Sequence, residues 1–346
     1  MKRILLAGFG QFEWFAPAWA KGLERLGFEV RFFDFGDWFS PGLMGRIETR
    51  FLCGPGIHRL STGLKRSVAS FKPEVVLIHN GNPVEPETVA DLASGHWVAG
   101  YQHDDPFGLY GRKAYFRLFR RAIPYYQSHH VIRQENLSEY RQLGVQRVRI
   151  LMTYYVPWLH SPPRDAGPRG SEPDRDVVFI GHAEADSRIQ YLAALAEAGI
   201  RLEVFGAPKY WRRHLPPAVF NRLPPIQPVV GAEYARTIWR ARISLAFYSR
   251  GNRDRYAYRV FEIPACGGFL LAQRTDVVQT LYAEGKEAEY FASAEELTDK
   301  VRFYLQHDEV RERIAKAGHR RCLTSGYDVV SRMRQWVADI REFREQ

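Results

Sequence analysis

The chain is poor in cysteine, with Cys53, Cys266 and Cys322 as its only three in 346 residues, far apart and outside any C-x-x-C pair. That argues against a disulfide framework and a zinc ribbon, and it suits a reducing compartment. Long hydrophobic runs are missing too. No stretch approaches the ~20 uninterrupted apolar residues that a membrane-spanning helix requires. The opening MKRILLAGFGQFEW starts like a secretory leader, with two cations and a short apolar run. Gly8, Gly10 and Glu13 interrupt it, and no small-residue cleavage site follows, so it reads as the first β-strand of a cytoplasmic protein. Eleven histidines are present, yet neither H-E-x-x-H nor a comparable ligand spacing occurs, so no metal or other cofactor is expected. Sequence repeats and low-complexity tracts are absent as well.

Positive charge is in excess: 49 Lys and Arg against 39 Asp and Glu, a net +10. Such an excess favours phosphate-bearing partners, whether nucleic acid, the headgroups of an anionic membrane, or a nucleoside diphosphate. It is spread along the chain, mostly as arginine, and a plain solvated surface accounts equally well for any one cluster. Nucleic acid is disfavoured because the charge forms no single stripe and the aromatics sit mostly in apolar runs.

Hydrophobic residues make up 45% of the chain and charged residues 25%, a globular composition long enough for two domains. Short apolar runs alternate with helical patterns from end to end. Strands are expected at 2–9, 29–35, 74–80, 97–104, 122–127, 145–154, 176–182, 201–206, 243–248 and 269–273. Most are continuous apolar runs, as in strands covered on both faces. Between them, 15–27 and 187–199 carry apolar residues at helical spacing and stop at glycine. Strand–helix–strand repetition predicts an α/β fold of two Rossmann-like domains with parallel sheets. Residues 161–176, SPPRDAGPRGSEPDRD, have linker composition. The expected division is therefore 1–160, a linker at 161–176, a second domain at 177–326, and a long amphipathic helix at 327–346. A cleft beyond the strand ends is the expected site.

Candidate residues cluster after strands. Gly8 and Gly10 resemble the start of a dinucleotide fingerprint, but Glu13 stands where the third glycine belongs. Asp34 at the end of the second strand keeps an NAD(P)-dependent oxidoreductase open as an alternative. His103, Asp104 and Asp105 follow the 97–104 strand and could act as acid, base or sugar ligands; the competing reading is an Asp-Asp-Pro turn in which one carboxylate caps the next segment. His129 and His130 are placed similarly. The densest cluster is S-R-G-N-R-D-R-Y-A-Y-R-V-F-E-I-P-A-C-G-G-F-L-L at 249–271. Arg250, Arg253 and Arg255 are spaced to surround an anion, though each is equally readable as solvated loop charge. Asp254 and Glu262 would lie about two turns apart on one helix. Arg259, three before Glu262, could simply form an intrahelical ion pair with it.

The run D-R-Y-A-Y-R-V-F-E-I-P-A-C-G-G-F-L-L-A-Q-R-T-D (254–276) resembles the signature of the CgeB-like (spore maturation protein) glycosyltransferases. The likeness continues through E-G-K-E-A-E-Y-F (284–291), E-E-L-T-D-K-V-R-F-Y-L (295–305) and R-E-R-I-A-K-A-G-H-R-R (311–321). It includes D-V-V-F-I-G-H (176–182), V-F-G (204–206), the D-D-P of the first half and the 151–162 crossover. It is nearly complete after 176 and patchy before. The resemblance implies the GT-B superfamily and transfer of a sugar from a nucleoside-diphosphate sugar, with the donor in the second domain, an acceptor of unspecified kind in the first, and the final helix (327–346) packed back on the first domain. It places Glu262 on the donor ribose, Arg188 on the diphosphate beside His182, and Gly206 to Lys209 near the base. Asp254 falls where many such enzymes carry glutamate facing the donor sugar. Arg253, Arg255 and Arg259 would serve the diphosphate, replacing a divalent metal, and Gly10 would line the donor side. The Asp254–Glu262 spacing favours retention of anomeric configuration. A non-catalytic binding protein on the same fold is the other alternative.

Overall fold

The computed structural model describes residues 1–108, 114–164 and 175–346. It contains two parallel sheets in two compact units. The first unit comprises Met1–Thr153, Gly251–Arg253 and Val329–Gln346, and the second Tyr154–Arg250 and Asp254–Asp328. The division falls at Thr153–Tyr154, ahead of the 161–176 segment. Tyr154, Tyr155 and Val156 are already buried, and the Tyr155 amide donates to the Tyr327 carbonyl within the second unit. Residues 165–174 of the expected linker lie outside the described residues.

The first sheet consists of β1 (Arg3–Gly8), β2 (Glu29–Asp34), β3 (Val75–His79), β4 (Trp97–Gln102), β5 (Ser128–Val131) and β6 (Val148–Ile150), in the order β2-β1-β3-β4-β5-β6. The second consists of β7 (Arg175–Ile180), β8 (Leu202–Phe205), β9 (Ala241–Ala246), β10 (Leu270–Gln273) and β11 (Glu289–Phe291), in the order β11-β10-β9-β7-β8. Every pairing is parallel. Helices between successive strands cover both faces, which is why β3 is buried along its whole length. In each unit the first strand lies between the second and the third. The winding reverses there, and open α/β sheets bind ligands at such switch points, beyond the carboxyl ends of the strands. The positions that matter are therefore the ends of β1 and β3 in one unit and of β7 and β9 in the other.

Three local expectations change. Residues 122–127 do not form a strand; Ile123–Tyr125 make a 3₁₀ turn and β5 begins at Ser128. Pro124 has no N–H to donate, and β5 lies between β4 and β6, where both edges are paired. His129 and His130 are thus fully buried inside a strand and do not follow one. His129 packs against Tyr126 and Tyr140 at 4.5 and 4.7 Å, and His130 meets Asp339 at 3.1 Å. Secondly, Asp254 and Glu262 do not share a helix. The helix is only Arg259–Ala265, and Asp254 sits in the preceding loop, just after Arg253 at φ +50°. Thirdly, the short strand β11 was not anticipated.

The helix Val329–Glu345 belongs to the first unit, packed on the helix Ala16–Arg25. Met333, Trp336 and Ile340 are fully buried on its inner face, and Arg149 pairs with Asp339 at 2.6 Å. Among the described residues no helix is long and apolar enough to cross a membrane. Among the described residues no cysteine is in a disulfide, and Cys266 and Cys322 are buried.

Candidate active site

The carboxyl ends of β7, β8 and β9 gather most of the expected donor-side residues. The Arg259 Nε donates to the Ile180 carbonyl at 2.9 Å, and the Arg188 Nη1 donates to the His182 carbonyl at 2.8 Å, so both arginines are moored to the segment that ends β7. Gly206 follows β8 directly, and the Gly181 amide donates to Phe205 at 2.9 Å, which joins the two strand ends. Beyond β9, the Ser249 hydroxyl donates to Glu184 at 2.5 Å and the Ser249 carbonyl accepts from the Asp254 amide at 2.9 Å. Arg188, His182, Gly206, Asp254 and Arg259 are therefore neighbours through named contacts.

At the centre is Glu262, buried at the start of its helix. The Tyr234 hydroxyl donates to it at 2.7 Å and Arg259 forms an ion pair with it. The Arg259 guanidinium also lies over the Tyr234 ring at 4.9 Å. His160 completes the enclosure, its Nε2 being 3.7 Å from the carboxylate. The Val156 amide donates to His160 Nδ1 at 3.0 Å, which leaves the ring proton on Nε2, facing Glu262. Burial pushes the Glu262 pKa up, but the Arg259 charge, His160 and the Tyr234 hydroxyl outweigh it and hold the carboxyl below its usual range. Burial pulls His160 down, keeping its imidazole neutral. The result is an ionised carboxylate with directed donors inside the protein, an arrangement suited to accepting further hydrogen bonds from a ligand's hydroxyls.

The cations sort into two groups. Arg188 is buried and forms a two-point contact with Asp186 (2.7 and 2.8 Å), with Glu184 at 3.3 Å. Asp186 also caps the helix Ser187–Glu197, accepting from the Arg188 amide. Arg255 pairs with Asp276 on an exposed surface, and Arg259 pairs with Glu262. By contrast, Arg250 after β9 and Lys209 after β8 are exposed and make no ion pair among the described residues. Their charge is uncompensated. Nothing in the sequence separates the two groups.

Arg253 is placed elsewhere. It belongs to the first unit, where it binds Asp105 through Nε (2.5 Å) and Nη2 (2.9 Å) and Glu139 at 2.9 Å. Asp105 also accepts from the Phe107 amide and the Asn136 side chain, each at 3.0 Å. The capping interpretation of the Asp-Asp-Pro turn is thus realised in Asp105, whose side chain is fully buried. Burial would raise its pKa; Arg253, Asn136 and the Phe107 amide lower it overall. Asp104 is partly exposed and accepts from the Asn252 amide group at 3.2 Å.

His103 stands beside it, 3.8 Å from Asp104. Asn80, at the end of β3, donates to the His103 ring at 2.9 Å and accepts from its amide at 3.1 Å, while Phe15 packs on the ring at 4.5 Å. Asn80 holds φ at +53°, an uncommon conformation that places its side chain across the strand ends. Burial lowers the His103 pKa more than Asp104 raises it, so the imidazole is neutral. Gly10 has an internal explanation: its amide donates to Asp34 at 2.9 Å, and a Cβ there would overlap that carboxylate. The Gly36 amide also binds Asp34, at 2.7 Å. The acid that would hold a dinucleotide ribose is thereby engaged with its own backbone.

Tyr234 and His160 were not anticipated as site residues. His160 carried a weak signal, as the histidine of the H-S-P crossover; Tyr234, in the helix Gly231–Arg240, carried none.

A family model described as glycosyl transferase-like matches residues 188–338. Among solved structures, the chain is similar to a sucrose-phosphate synthase from Thermosynechococcus elongatus, with a TM-score of 0.73 and 12% identity over 100% of both chains. It is also similar to a glycosyltransferase from Rickettsia africae (TM-score 0.66, 11% identity, 100% of this chain and 99% of that one). Anabaena Alr3699/HepE, solved in complex with UDP-glucose, shows a TM-score of 0.67 and 12% identity over 99% of this chain and 100% of its own. No curated protein matches by sequence. At these identities the structural likeness establishes the fold, while the family match covers the segment that contains Arg188, Asp254, Arg259 and Glu262. Residues 188–338 thus match a glycosyl transferase-like family model, and the chain shares its two-sheet fold with sucrose-phosphate synthase and HepE.

Proposed function

We propose that this chain transfers a sugar from a nucleoside-diphosphate sugar to an acceptor hydroxyl, in the cytoplasm, with retention of anomeric configuration and without a resident metal, as a CgeB-like enzyme. The observation that carries the reading is Glu262, which lies in the matched segment at the β7/β9 switch point, buried yet ionised and enclosed by Arg259, Tyr234 and His160. A carboxylate so held accepts hydrogen bonds from the two hydroxyls of a ribose, fixing the donor before reaction.

Cleavage of the anomeric bond sends its electron pair to a diphosphate oxygen, which gains negative charge. Cations placed beforehand at that oxygen stabilise the transition state more than the ground state. Arg250 and Lys209 are assigned this role because no carboxylate offsets them among the described residues; Arg188 and Arg259 shape the pocket wall. Asp254 faces the donor sugar. Asp104 and the neutral imidazole of His103 position the acceptor hydroxyl, whose proton passes to the departing diphosphate oxygen as the new glycosidic bond forms.

The test is a thermal-shift panel of uridine, guanosine and thymidine diphosphates alongside NAD(P), followed by donor turnover. A nucleoside diphosphate at 100 times its Kd is expected to add about 2.7 kcal/mol of stability. Stabilisation by the dinucleotide with no response to any nucleoside diphosphate would overturn the reading in favour of an oxidoreductase.

A further inference from the structure

The helix Gly42–Phe51 in the first unit is built inside out. An amphipathic surface helix ordinarily buries its apolar stripe and exposes its charges. Here Leu43, Met44, Ile47 and Phe51 are exposed by 74%, 55%, 41% and 55%, whereas the helix's single carboxylate, Glu48, is 1% exposed. At 3.6 residues per turn the four apolar side chains fall within one stripe about 100° wide, and Arg46 and Arg50 lie along one flank of it. Both arginines are exposed and make no ion pair among the described residues.

The inward face explains how the helix is held without burying that stripe. Glu48 accepts from the Ser40 amide at 3.0 Å and the Gly56 amide at 2.8 Å, clamping the chain before and after the helix, with Arg59 at 3.8 Å. Polar contacts thus anchor the element from beneath and leave its apolar side outward. Scattered exposed apolar residues need no explanation, but a contiguous stripe on one helix does.

We infer that this helix lies on the surface of an anionic lipid bilayer, with Leu43, Met44, Ile47 and Phe51 among the acyl chains and Arg46 and Arg50 at the phosphates. Charge complementarity selects this occupant. The exposed residues of 41–51 comprise apolar residues, glycine, proline and two arginines, with no anion among them, on a chain of net charge +10. A narrow apolar stripe with cations along its edge is the composition of a helix lying in the membrane interface, where acyl contact and headgroup attraction add.

The test is cosedimentation of the full chain with phosphatidylcholine vesicles, with and without phosphatidylglycerol. Binding is expected to need the anionic lipid, to weaken about tenfold or more in Ile47→Ser/Phe51→Ser, and to weaken by a similar factor with loss of salt dependence in Arg46→Gln/Arg50→Gln. Melting temperature should hold in both double variants, since the altered side chains are exposed, and donor hydrolysis should be unchanged. If Ile47→Ser/Phe51→Ser binds anionic vesicles as the wild type does, the overall charge is responsible and the assignment to this helix fails. If the protein ignores vesicles and sediments as a dimer that Ile47→Ser dissociates, a second copy of the chain covers the stripe and the inference is overturned.

Discussion

Arg253 and Asp105, 148 residues apart in sequence, are joined by two hydrogen bonds of 2.5 and 2.9 Å inside the first unit. Glu139 braces the same guanidinium, and this surrounding of carboxylates drives the Arg253 pKa upward. An arginine so occupied is a poor phosphate ligand, and an aspartate so occupied is a poor base. Asp105→Ala is therefore expected to cost about 3 kcal/mol of stability, as removal of one member of a buried pair does. Donor turnover per folded molecule should persist within a fewfold. Urea denaturation and initial rates measured on the same preparation check this; full stability with a hundredfold loss of turnover would return Asp105 to the chemistry.

Glu262 is the opposite case in the proposed function, an ionised carboxylate assigned to the ligand. Glu262→Ala is expected to lower transfer and donor hydrolysis at least ~100-fold, the scale on which a key polar site contact acts. Because that variant strands Arg259, Glu262→Gln should accompany it, retaining the volume and the Tyr234 contact. Tyr234→Phe removes one of several donors and should cost about tenfold or less. Wild-type rates in Glu262→Gln and Glu262→Ala alike would remove this residue from the site.

Arg250 and Arg253 differ by three positions and are expected to behave quite differently. Arg250→Ala should raise the donor KM by about tenfold, the worth of one charge-assisted hydrogen bond, while Arg253→Ala should leave it unchanged and lower stability. A steady-state titration with the donor found in the nucleotide panel reads both. Equal effects on KM would show that uncompensated charge is the wrong criterion.

Acid should destabilise the fold well above the carboxylate range. His79, His129 and His160 are buried and held below the ordinary histidine pKa, chiefly by desolvation, His129 to about 3. Between pH 6.5 and that folded-state value the unfolded chain binds a proton that the folded chain refuses. Stability therefore rises with pH through the window and falls as pH drops below about 6.5, by up to about 1.4 kcal/mol per pH unit for each such histidine. Glu262 and Asp105, held below their ordinary values, add their own losses once pH falls into the ordinary carboxylate range. Urea midpoints across the interval should show the slope, and His129→Phe should make it shallower. A flat profile would mean that these imidazoles protonate freely in the folded chain.

The parallel sheets were legible because strands such as Val75–His79 are apolar at every position, a pattern that two covered faces impose. Ser128–Val131 was not, since it is central yet carries serine and two histidines, and its burial depends on Tyr126, Tyr140 and Asp339 from elsewhere. The same limit applies to the site. Sequence places Glu262 and Arg259 three apart, and their pairing follows from helix geometry. The enclosure by His160 and Tyr234 spans long separations, which spacing cannot report. Likewise the excess of arginine is evident from composition, but which arginines are neutralised is decided by carboxylates such as Asp105 and Asp276, remote from or incidental to the motif.

The helix Val329–Glu345 completes the first unit with residues that leave the ribosome only after all of 154–328. Trp19 and Leu23 lie in the core of the unit whose packing this helix finishes with Met333 and Trp336. During synthesis the earlier-made half must therefore wait, its surface open, while the whole later-made half emerges and can fold. Released chains truncated after residue 328 should accordingly show a protease-resistant second unit and a still-sensitive first one.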